Sequence, residues 1–277
     1  MQVIVFSRDR AMQLHALLES FSQCFPTIIP TVLFRASDRD YQRGYDLLMT
    51  RFGARWMPEG DFRQDLLNIV TEPVEGTGAV DTLTMFAVDD DVFKRKVSLK
   101  DIYAVMHDPR VLCLSLRLSP EITHCYTMDI DTPPPRFDDR IFARNKDRVL
   151  TWDWQGKPGD WGYPFSCDGH IYRTHQILPV MQRTPWATPN QMEGRVVAAG
   201  DWKLWQKMAC FSEQVVVNIP ANLVQTDFQN RTCGGLSSEV LNNRYLHNEI
   251  IDIWPLVKQW SPACHLPMQY DFKNYHP

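Results

Sequence analysis

Three consecutive carboxylates at the end of an apolar run constrain this chain more than any other feature of its sequence. Met85–Val88 lead directly into Asp89, Asp90 and Asp91, and two more apolar residues follow. A short apolar run of this kind is typical of a buried strand. The acids cannot continue into the core, because ionised carboxylates are not buried without a partner. Either the cluster is a solvated turn, or a hard divalent cation such as Mg²⁺ or Mn²⁺ neutralises it and keeps positions open for substrate phosphates.

Strands and helices alternate from the amino terminus to this cluster. Apolar patterns predict strands at 3–6, 31–34, 54–57 and 82–88, and helices at 12–21, 45–52 and 62–71. Such alternation favours an α/β fold with a mainly parallel sheet, in which ligands bind outside the carboxyl ends of the strands. Polar residues follow three of the strands, namely Ser7–Asp9, Ser37–Asp38 and Asp89–Asp91. We therefore expect one shared site at this edge of the sheet.

The pattern is less regular after the acid cluster. A helix is predicted at 99–106 and a strand at 110–118, and the polar stretch 119–160 is expected to be a long excursion, such as a lid or a binding insert. Its tryptophans fit either the core or a stacking surface. Further helices are predicted at 171–181, 190–197, 203–211 and 237–245, and a strand at 215–219.

Composition excludes several classes of protein. The 277 residues are 44% hydrophobic, enough for a full core. A net charge of −4 with scattered basic residues argues against nucleic-acid binding, which needs a basic patch. No apolar run reaches the roughly 18 residues that span a bilayer, and we expect no signal peptide. The seven cysteines are odd in number and lack CxxC spacing, so we expect reduced thiols and a cytoplasmic location.

Several different motifs follow one another along nearly the whole chain. They are Val3–Arg10, Asp89–Asp91, Tyr163–His170, Pro189–Glu193, Val217–Asn222 and Asn230–Arg231. In this order and strand context the set resembles the GT-A type of nucleotide-sugar-dependent glycosyltransferases, particularly bacterial enzymes near glycosyltransferase family two. The resemblance implies a mixed, mainly parallel sheet between helices. It also implies a donor-binding half at 1–118 and an acceptor-binding half at 119–277, within one continuous domain.

The resemblance further implies a nucleotide-diphosphate sugar as donor, with Mn²⁺ or Mg²⁺ bridging its diphosphate to the acid motif. Because Asp91 ends the cluster, we expect it to project furthest beyond the strand and to bind the metal directly. Asp89 is expected to contact the donor ribose beside the metal. A carboxyl-terminal histidine is often the third ligand in such enzymes, and His265 is the candidate, with His247 as the alternative.

Further donor contacts follow from the same resemblance. Asp38 stands where related enzymes carry an acid run that contacts the base. Asp168 either contacts a hydroxyl of the transferred sugar or belongs to an ordinary Asp-Gly turn. The remaining predicted donor contacts are Ser7, Arg8, Asp9 and Asp90.

Inversion at the anomeric carbon requires a carboxylate that accepts the proton of the attacking hydroxyl. Glu193 follows a Pro-Asn pair that begins a predicted helix, where an acid is also favoured by the helix dipole alone. Asp201 lies in a Gly-Asp-Trp element that resembles a family-two signature but carries glycine where that signature has glutamate. We favour Glu193 and keep Asp201 as the second candidate.

The sequence thus predicts a metal-dependent, inverting glycosyltransferase that acts on a glycan or glycolipid acceptor in surface polysaccharide or glycoconjugate synthesis. Peripheral association with a membrane and the oligomeric state are left open. One alternative is a sugar-phosphate nucleotidyltransferase, although Phe6–Arg10 lacks the glycines that a phosphate loop would need. Another is a degenerate module of the same fold that binds glycans without catalysis.

Overall fold

In the computed structural model, which describes residues 1–72, 82–138, 148–224, 231–233 and 235–276, an eight-stranded mixed sheet forms the centre. Six strands run in one direction, and β9 and β10 run in the other. Numbered along the chain and given in spatial order, the strands are β3 (Arg55–Pro58), β2 (Thr31–Arg35), β1 (Gln2–Arg8), β4 (Leu83–Val88), β10 (His170–Arg173), β6 (Val111–Ser115), β11 (Lys207–Phe211) and β9 (Val149–Asp153). The predicted α/β fold with a mainly parallel sheet is confirmed.

Strand β10 joins the two halves of this sheet. It pairs antiparallel with β4 on one side, where Ile171 faces Met85, and antiparallel with β6 on the other, where Ile171 faces Leu114. The sheet is therefore continuous only when a strand from the second half of the chain is inserted between two strands from the first half.

Three two-stranded sheets lie outside the central one. Asp91 begins a short strand there and pairs with Asn218. This pairing turns the chain back directly after Asp90. The three sheets are β5 (Asp91–Phe93) with β12 (Val216–Asn218), β7 (His124–Cys125) with β8 (Ile130–Asp131), and β13 (Glu249–Ile251) with β14 (Phe272–Asn274).

Helices cover both faces of the central sheet. Val3 and Val5 of β1 point to one apolar core, and Ile4 and Phe6 point to the other, as strand alternation requires. The first core is closed by α1 (Ala11–Cys24), α2 (Arg39–Arg51), α4 (Leu99–Met106), α7 (Ser238–Leu246) and α8 (Ile253–Lys258), and the second by α3 (Phe62–Thr71), α5 (Thr174–Arg183) and α6 (Pro189–Ala199).

Two of the predicted helices are wrong. Residues 171–181 begin as strand β10 and only then continue as α5, and 203–211 consist of a 3₁₀ turn at Trp202–Leu204 followed by β11. Residues 171–173 and 207–211 become strands because neighbouring strands pair with them on both sides, which overrides local preference.

The predicted polar excursion at 119–160 is confirmed only in part, because it includes a strand of the central sheet. Residues 149–153 form β9, the edge strand of the central sheet, and Trp152 and Trp161 are fully buried in the second core. These two tryptophans are therefore core residues rather than a stacking surface. Asn230, included in one sequence motif, lies outside the described residues.

None of the helices in the described ranges combines the length and the apolarity that a membrane span requires. All seven cysteines fall in these ranges and are free thiols, six of them buried.

Candidate active site

A cavity of about 640 Å³ opens beyond the carboxyl ends of β1 and β4, at the predicted edge of the sheet. Much of the predicted site meets there, although the positions are far apart in sequence. The predicted residues that line this cleft are Ser7, Arg8, Asp89, Asp90, Asp168, Glu193 and His265. The predicted residues Asp9, Asp38, Asp91 and Asp201 are not part of its lining.

Arg10 forms ion pairs with two of the acids that face the cleft, Asp89 and Asp90. Its Nη1 lies 2.9 Å from Asp89 Oδ1 and 3.0 Å from Asp90 Oδ2, and its Nη2 donates to the carbonyl oxygen of Asn222. Burial raises the pKa of Asp89 to about 6, although Arg10 acts in the opposite direction. The guanidinium therefore holds the acid motif and the 219–224 segment together.

Asp91 does not project beyond the strand, so this geometric expectation is wrong. Pairing with β12 turns its side chain inward, where it is fully buried and accepts hydrogen bonds from the Val88 amide (3.1 Å) and Asn218 Nδ2 (3.2 Å). Burial, followed by the neighbouring Asp168 carboxylate, raises the pKa of Asp91 well above its usual range. A direct bond from Asp91 to a metal remains a prediction.

Asp168 is held by Arg117, a buried arginine that the sequence analysis did not single out. Arg117 Nη1 lies 2.9 Å from Asp168 Oδ2, and Nη2 lies 3.2 Å from Asp160 Oδ1. Burial is the largest single influence and would raise the pKa of Asp168, but Arg117, together with Asp91, His265 and His170, lowers the pKa. The neighbouring Asp91 acts on the pKa of Asp168 in the same direction as Arg117. Asp168 is therefore an ionised group in the cleft.

Glu193 is a half-buried carboxylate from the first turns of α6. The Cys167 amide donates to its Oε2 at 2.6 Å, and Tyr163 is hydrogen-bonded to it. Burial raises the pKa of Glu193, which Cys167, Arg117 and Tyr163 partly oppose and Asp168 reinforces. A fixed carboxylate with a raised pKa suits a general base.

The other candidate base lies elsewhere. Asp201 is exposed, precedes the Trp202–Leu204 turn and does not line the cleft.

Two predicted nucleotide contacts, Asp9 and Asp38, have structural roles in the fold. Asp9 has a positive φ of 56° and accepts hydrogen bonds from the Ser37 amide (2.7 Å) and hydroxyl (2.6 Å). Asp38 is exposed and caps α2 by accepting from the Asp40 and Tyr41 amides. Both carboxylates are therefore engaged in joining or starting elements of the fold.

His265 reaches the cleft from the carboxyl-terminal segment, whereas His247 is exposed and is not part of the lining. The His265 ring stacks on Tyr126 with 5.5 Å between centroids. Burial lowers its pKa, although Asp168 acts in the opposite direction. This direction favours the neutral imidazole, which is the form that binds metals.

The residues around Arg117 fit a divalent cation in charge and in donor type. Two buried acids, Asp160 and Asp168, share the single guanidinium of Arg117. Asp160 Oδ2, Asp168 Oδ1 and His265 Nδ1 are buried without a hydrogen-bond partner in the described part of the chain. Within the described ranges of the chain, no three histidine, cysteine or acidic side chains converge into a closed metal site. This suits a cation such as Mg²⁺, which takes one or two protein ligands and completes its shell with water and substrate phosphates.

One end of the cleft carries residues that sequence reasoning missed. Arg35 ends β2, Glu59 follows β3, and the two form an ion pair of 3.4 Å there. Elsewhere in the lining, Arg10 and Arg117 had a sequence signal, because each is a charged residue next to or within an apolar run at a strand end. Glu59 had only its position after a short predicted strand.

Comparison with known proteins finds a similar glycosyltransferase. The chain is similar to the bifunctional glycosyltransferase pgtA of Dictyostelium discoideum, with 28% identity in an alignment of 190 positions that covers 64% of this chain and 24% of that protein. The chain therefore spans about a quarter of the length of this curated relative. No family model matches the chain. The resemblance to a glycosyltransferase drawn from the motifs is confirmed by this relative.

Solved structures of low similarity include two complexes of an S. aureus TarS fragment. The complex with UDP has 14% identity and a TM-score of 0.47, and covers 78% of this chain and 59% of that chain. The complex with UDP-GlcNAc has 14% identity and a TM-score of 0.44, and covers 78% and 57%, respectively.

Proposed function

We propose that this chain is a glycosyltransferase that moves a sugar from a nucleotide-diphosphate donor to an acceptor hydroxyl, with inversion at the anomeric carbon. The observation that carries the proposal is the meeting of Asp89, Asp90, Asp168 and Glu193 in one cleft at the carboxyl edge of an α/β sheet. The similarity to a curated glycosyltransferase supports the same class of reaction.

The donor nucleotide would lie over the ends of β1 and β4. Ser7, Arg8 and Asp89 line this part of the cleft, and the Arg8 amide already donates to Asp89 Oδ2 at 3.2 Å. An Asp89 carboxylate fixed in this way can accept hydrogen bonds from a ribose hydroxyl. The exposed Arg8 guanidinium is available to donor oxygen atoms.

A divalent cation, when bound, would neutralise the charge that develops on the leaving diphosphate. Asp90 and His265 are the residues that would hold it, because both line the cleft and differ from the inward-facing Asp91. Arg10 forms ion pairs with Asp89 and Asp90, and Asn218 Nδ2 donates to Asp90 Oδ1 at 2.7 Å. These contacts fix the orientation of the acid motif.

Glu193 would accept the proton of the attacking acceptor hydroxyl. The Cys167 amide and Tyr163 hold this carboxylate in place, and its remaining lone pairs can receive the proton. Asp168, held ionised by Arg117, would accept a hydrogen bond from a hydroxyl of the transferred sugar. Attack on one face of the sugar while diphosphate leaves from the other gives inversion.

The acceptor is proposed to be a hydroxyl of a glycan or glycolipid. A role in polysaccharide or glycoconjugate synthesis rests on family resemblance alone. The free, largely buried thiols support a reducing compartment such as the cytoplasm.

The test is a panel of UDP-, GDP-, CMP- and dTDP-sugars offered with and without Mn²⁺, read by thermal shift and by release of the nucleotide product. We expect at least one donor to raise the melting temperature in a Mn²⁺-dependent manner and to be consumed in the presence of glycan acceptors. Asp90→Asn should weaken the metal-dependent shift. If Asp91→Asn weakens it and Asp90→Asn does not, Asp91 is the direct ligand. No shift with any donor would refute the proposal.

A further inference from the structure

The nucleotide end of the cleft continues into a second, smaller cavity of about 330 Å³. The two cavities share the residues Arg35, Glu59, Phe62 and Ala187. A group bound over the end of β1 therefore meets the Arg35–Glu59 pair and the edge of Phe62 before it reaches solvent.

Glu59 is fixed in place at this junction. Its amide donates to the carbonyl oxygen of Phe34 at 2.7 Å, continuing the pairing of β2 and β3 beyond the end of β3. Its side chain is only 17% exposed, and its carboxylate contacts Arg35 Nη1 at the long distance of 3.4 Å. Because an ionised carboxylate has about four lone-pair positions, Glu59 can accept further hydrogen bonds from a ligand.

The other acids at the ends of β1 and β2 are already engaged. Asp9 is bound to Ser37, and Asp38 caps α2. At the ends of β1, β2 and β3, Glu59 is therefore the carboxylate that faces the cleft within the described residues.

Phe62 gives the junction a rigid apolar wall. Its ring packs edge-on against Phe6, with 5.2 Å between centroids, and against Trp186, with 5.6 Å between centroids. The ring is 5% exposed, so its orientation is set by the core. A flat ring placed here would have an apolar side against Phe62 and a polar edge toward Glu59 and Arg35.

We propose that Glu59 selects the nucleobase of the donor by accepting a hydrogen bond from a ring N–H, while Arg35 donates to the adjacent carbonyl oxygen. This inference rests on the proposed function and names its donor class. Uracil, thymine and guanine carry a ring N–H beside a carbonyl group. Cytosine and adenine present a ring nitrogen lone pair at that position, with which a carboxylate cannot pair, and their exocyclic amine reaches Glu59 only if the base shifts. With the ring held against Phe62, the site would therefore favour the first group over the second.

The experiment measures the affinities of UDP, GDP, CDP and ADP for the full chain with Mn²⁺, by calorimetry. In the unmodified protein, UDP or GDP should bind at least about tenfold more tightly than CDP and ADP, because mismatched buried polar groups are left unpaired. The relative affinities of UDP and GDP then identify which of the two bases the site accepts.

Glu59→Gln is the decisive variant, because an amide can both donate and accept. We expect it to lose about tenfold or more in affinity for the preferred nucleotide, to bind CDP and ADP as well as or better than before, and so to lose most of the discrimination. Glu72→Gln is the matched control, since Glu72 also pairs with an arginine after a structural element but is exposed and outside both cavities. It should keep the original ratios.

The outcomes separate this inference from the proposed function. Equal binding of all four nucleotides, a preference for CDP or ADP, or unchanged ratios in Glu59→Gln would overturn the inference and leave the glycosyltransferase proposal standing. Binding of none of the four would overturn both.

Discussion

At the scale of single residues, we predict opposite effects on activity for substitutions of Glu193 and Asp201. Glu193→Gln is expected to lower kcat by about 10² to 10⁴-fold, the usual contribution of a general base. Donor affinity should change little, because glutamine keeps the shape of the side chain and Glu193 lies on α6 rather than at the ends of β1 and β4. Steady-state kinetics with the preferred donor measure both quantities.

Asp201→Asn serves as the control for this prediction. Since Asp201 is exposed and outside the cleft, the variant should retain nearly full activity. Loss of turnover in Asp201→Asn together with an active Glu193→Gln would transfer the base to the Gly-Asp-Trp element.

The pH dependence of the same reaction follows from burial of Glu193. A general base must be deprotonated, so kcat/KM falls as the pH drops through its pKa. Because burial raises that pKa, the acid limb should lie above 4.5, the ordinary value for glutamate. The limb should disappear in the residual activity of Glu193→Gln.

Residues that act through their type and position after a strand could be predicted from sequence, and residues that act through a distant partner could not. Ser7, Arg8 and Asp89 follow apolar runs, so their place at the edge of the sheet was foreseeable. The inward turn of Asp91 depends on Asn218, which is 127 residues away. No local pattern encodes that pairing, and the same holds for Arg117 and its contact with Asp168.

At the scale of elements, substitutions of Asp38 at the start of α2 test whether this residue is a helix cap or a nucleotide contact. Asp38→Ala should lower the free energy of unfolding by about 1 kcal/mol, the usual cost of removing an N-cap acceptor. Asp38→Asn should cost only a few tenths of that, because asparagine caps equally well. Denaturant unfolding measures both, and nucleotide affinity should remain unchanged in both variants.

A fall in nucleotide affinity in Asp38→Asn, with stability preserved, would instead restore the contact predicted from the sequence.

The four amino-terminal strands and α3 were predicted accurately, whereas β10 and β11 were not. α3 spans Phe62–Thr71 as predicted, because Asp61 caps it and its apolar spacing is regular. β10 is a strand of four residues followed immediately by a helix, so no turn or loop separates the two elements within 171–181. β11 contains Met208, Ala209 and Cys210, which carry little strand preference of their own.

At the scale of the whole molecule, two buried histidines predict how stability depends on pH. Burial, followed by Arg51 and Lys273, lowers the pKa of His15 to about 3, and burial followed by Arg117 does the same for His170. The unfolded chain binds these protons near pH 6.5, the ordinary histidine value, and the folded protein does not. Their contribution to stability is therefore complete above pH 6.5 and is lost as the pH falls toward 3.

Each of these histidines should contribute a slope of about 1.4 kcal/mol per pH unit to the free energy of unfolding between those limits. His15→Phe should reduce the total slope by about that amount, measured by urea unfolding from pH 6 to pH 4. His107→Phe, at an exposed position, should leave it unchanged. An equal slope in the wild type and His15→Phe would show that His15 is protonated in the folded protein.

The insertion of β10 between β4 and β6 also has a consequence during synthesis of the chain. Thr84 of β4 and Thr174, which follows β10, are hydrogen-bonded but lie 90 residues apart. At roughly 5–20 residues per second, a ribosome needs about 5–20 seconds to add the intervening chain. For that interval β4 has a neighbour on one side only, and its apolar edge is open to pairing with other nascent chains. Protecting this edge until the middle of the chain has been translated is therefore a task for the cell's chaperones, and slow translation between the two segments would prolong it.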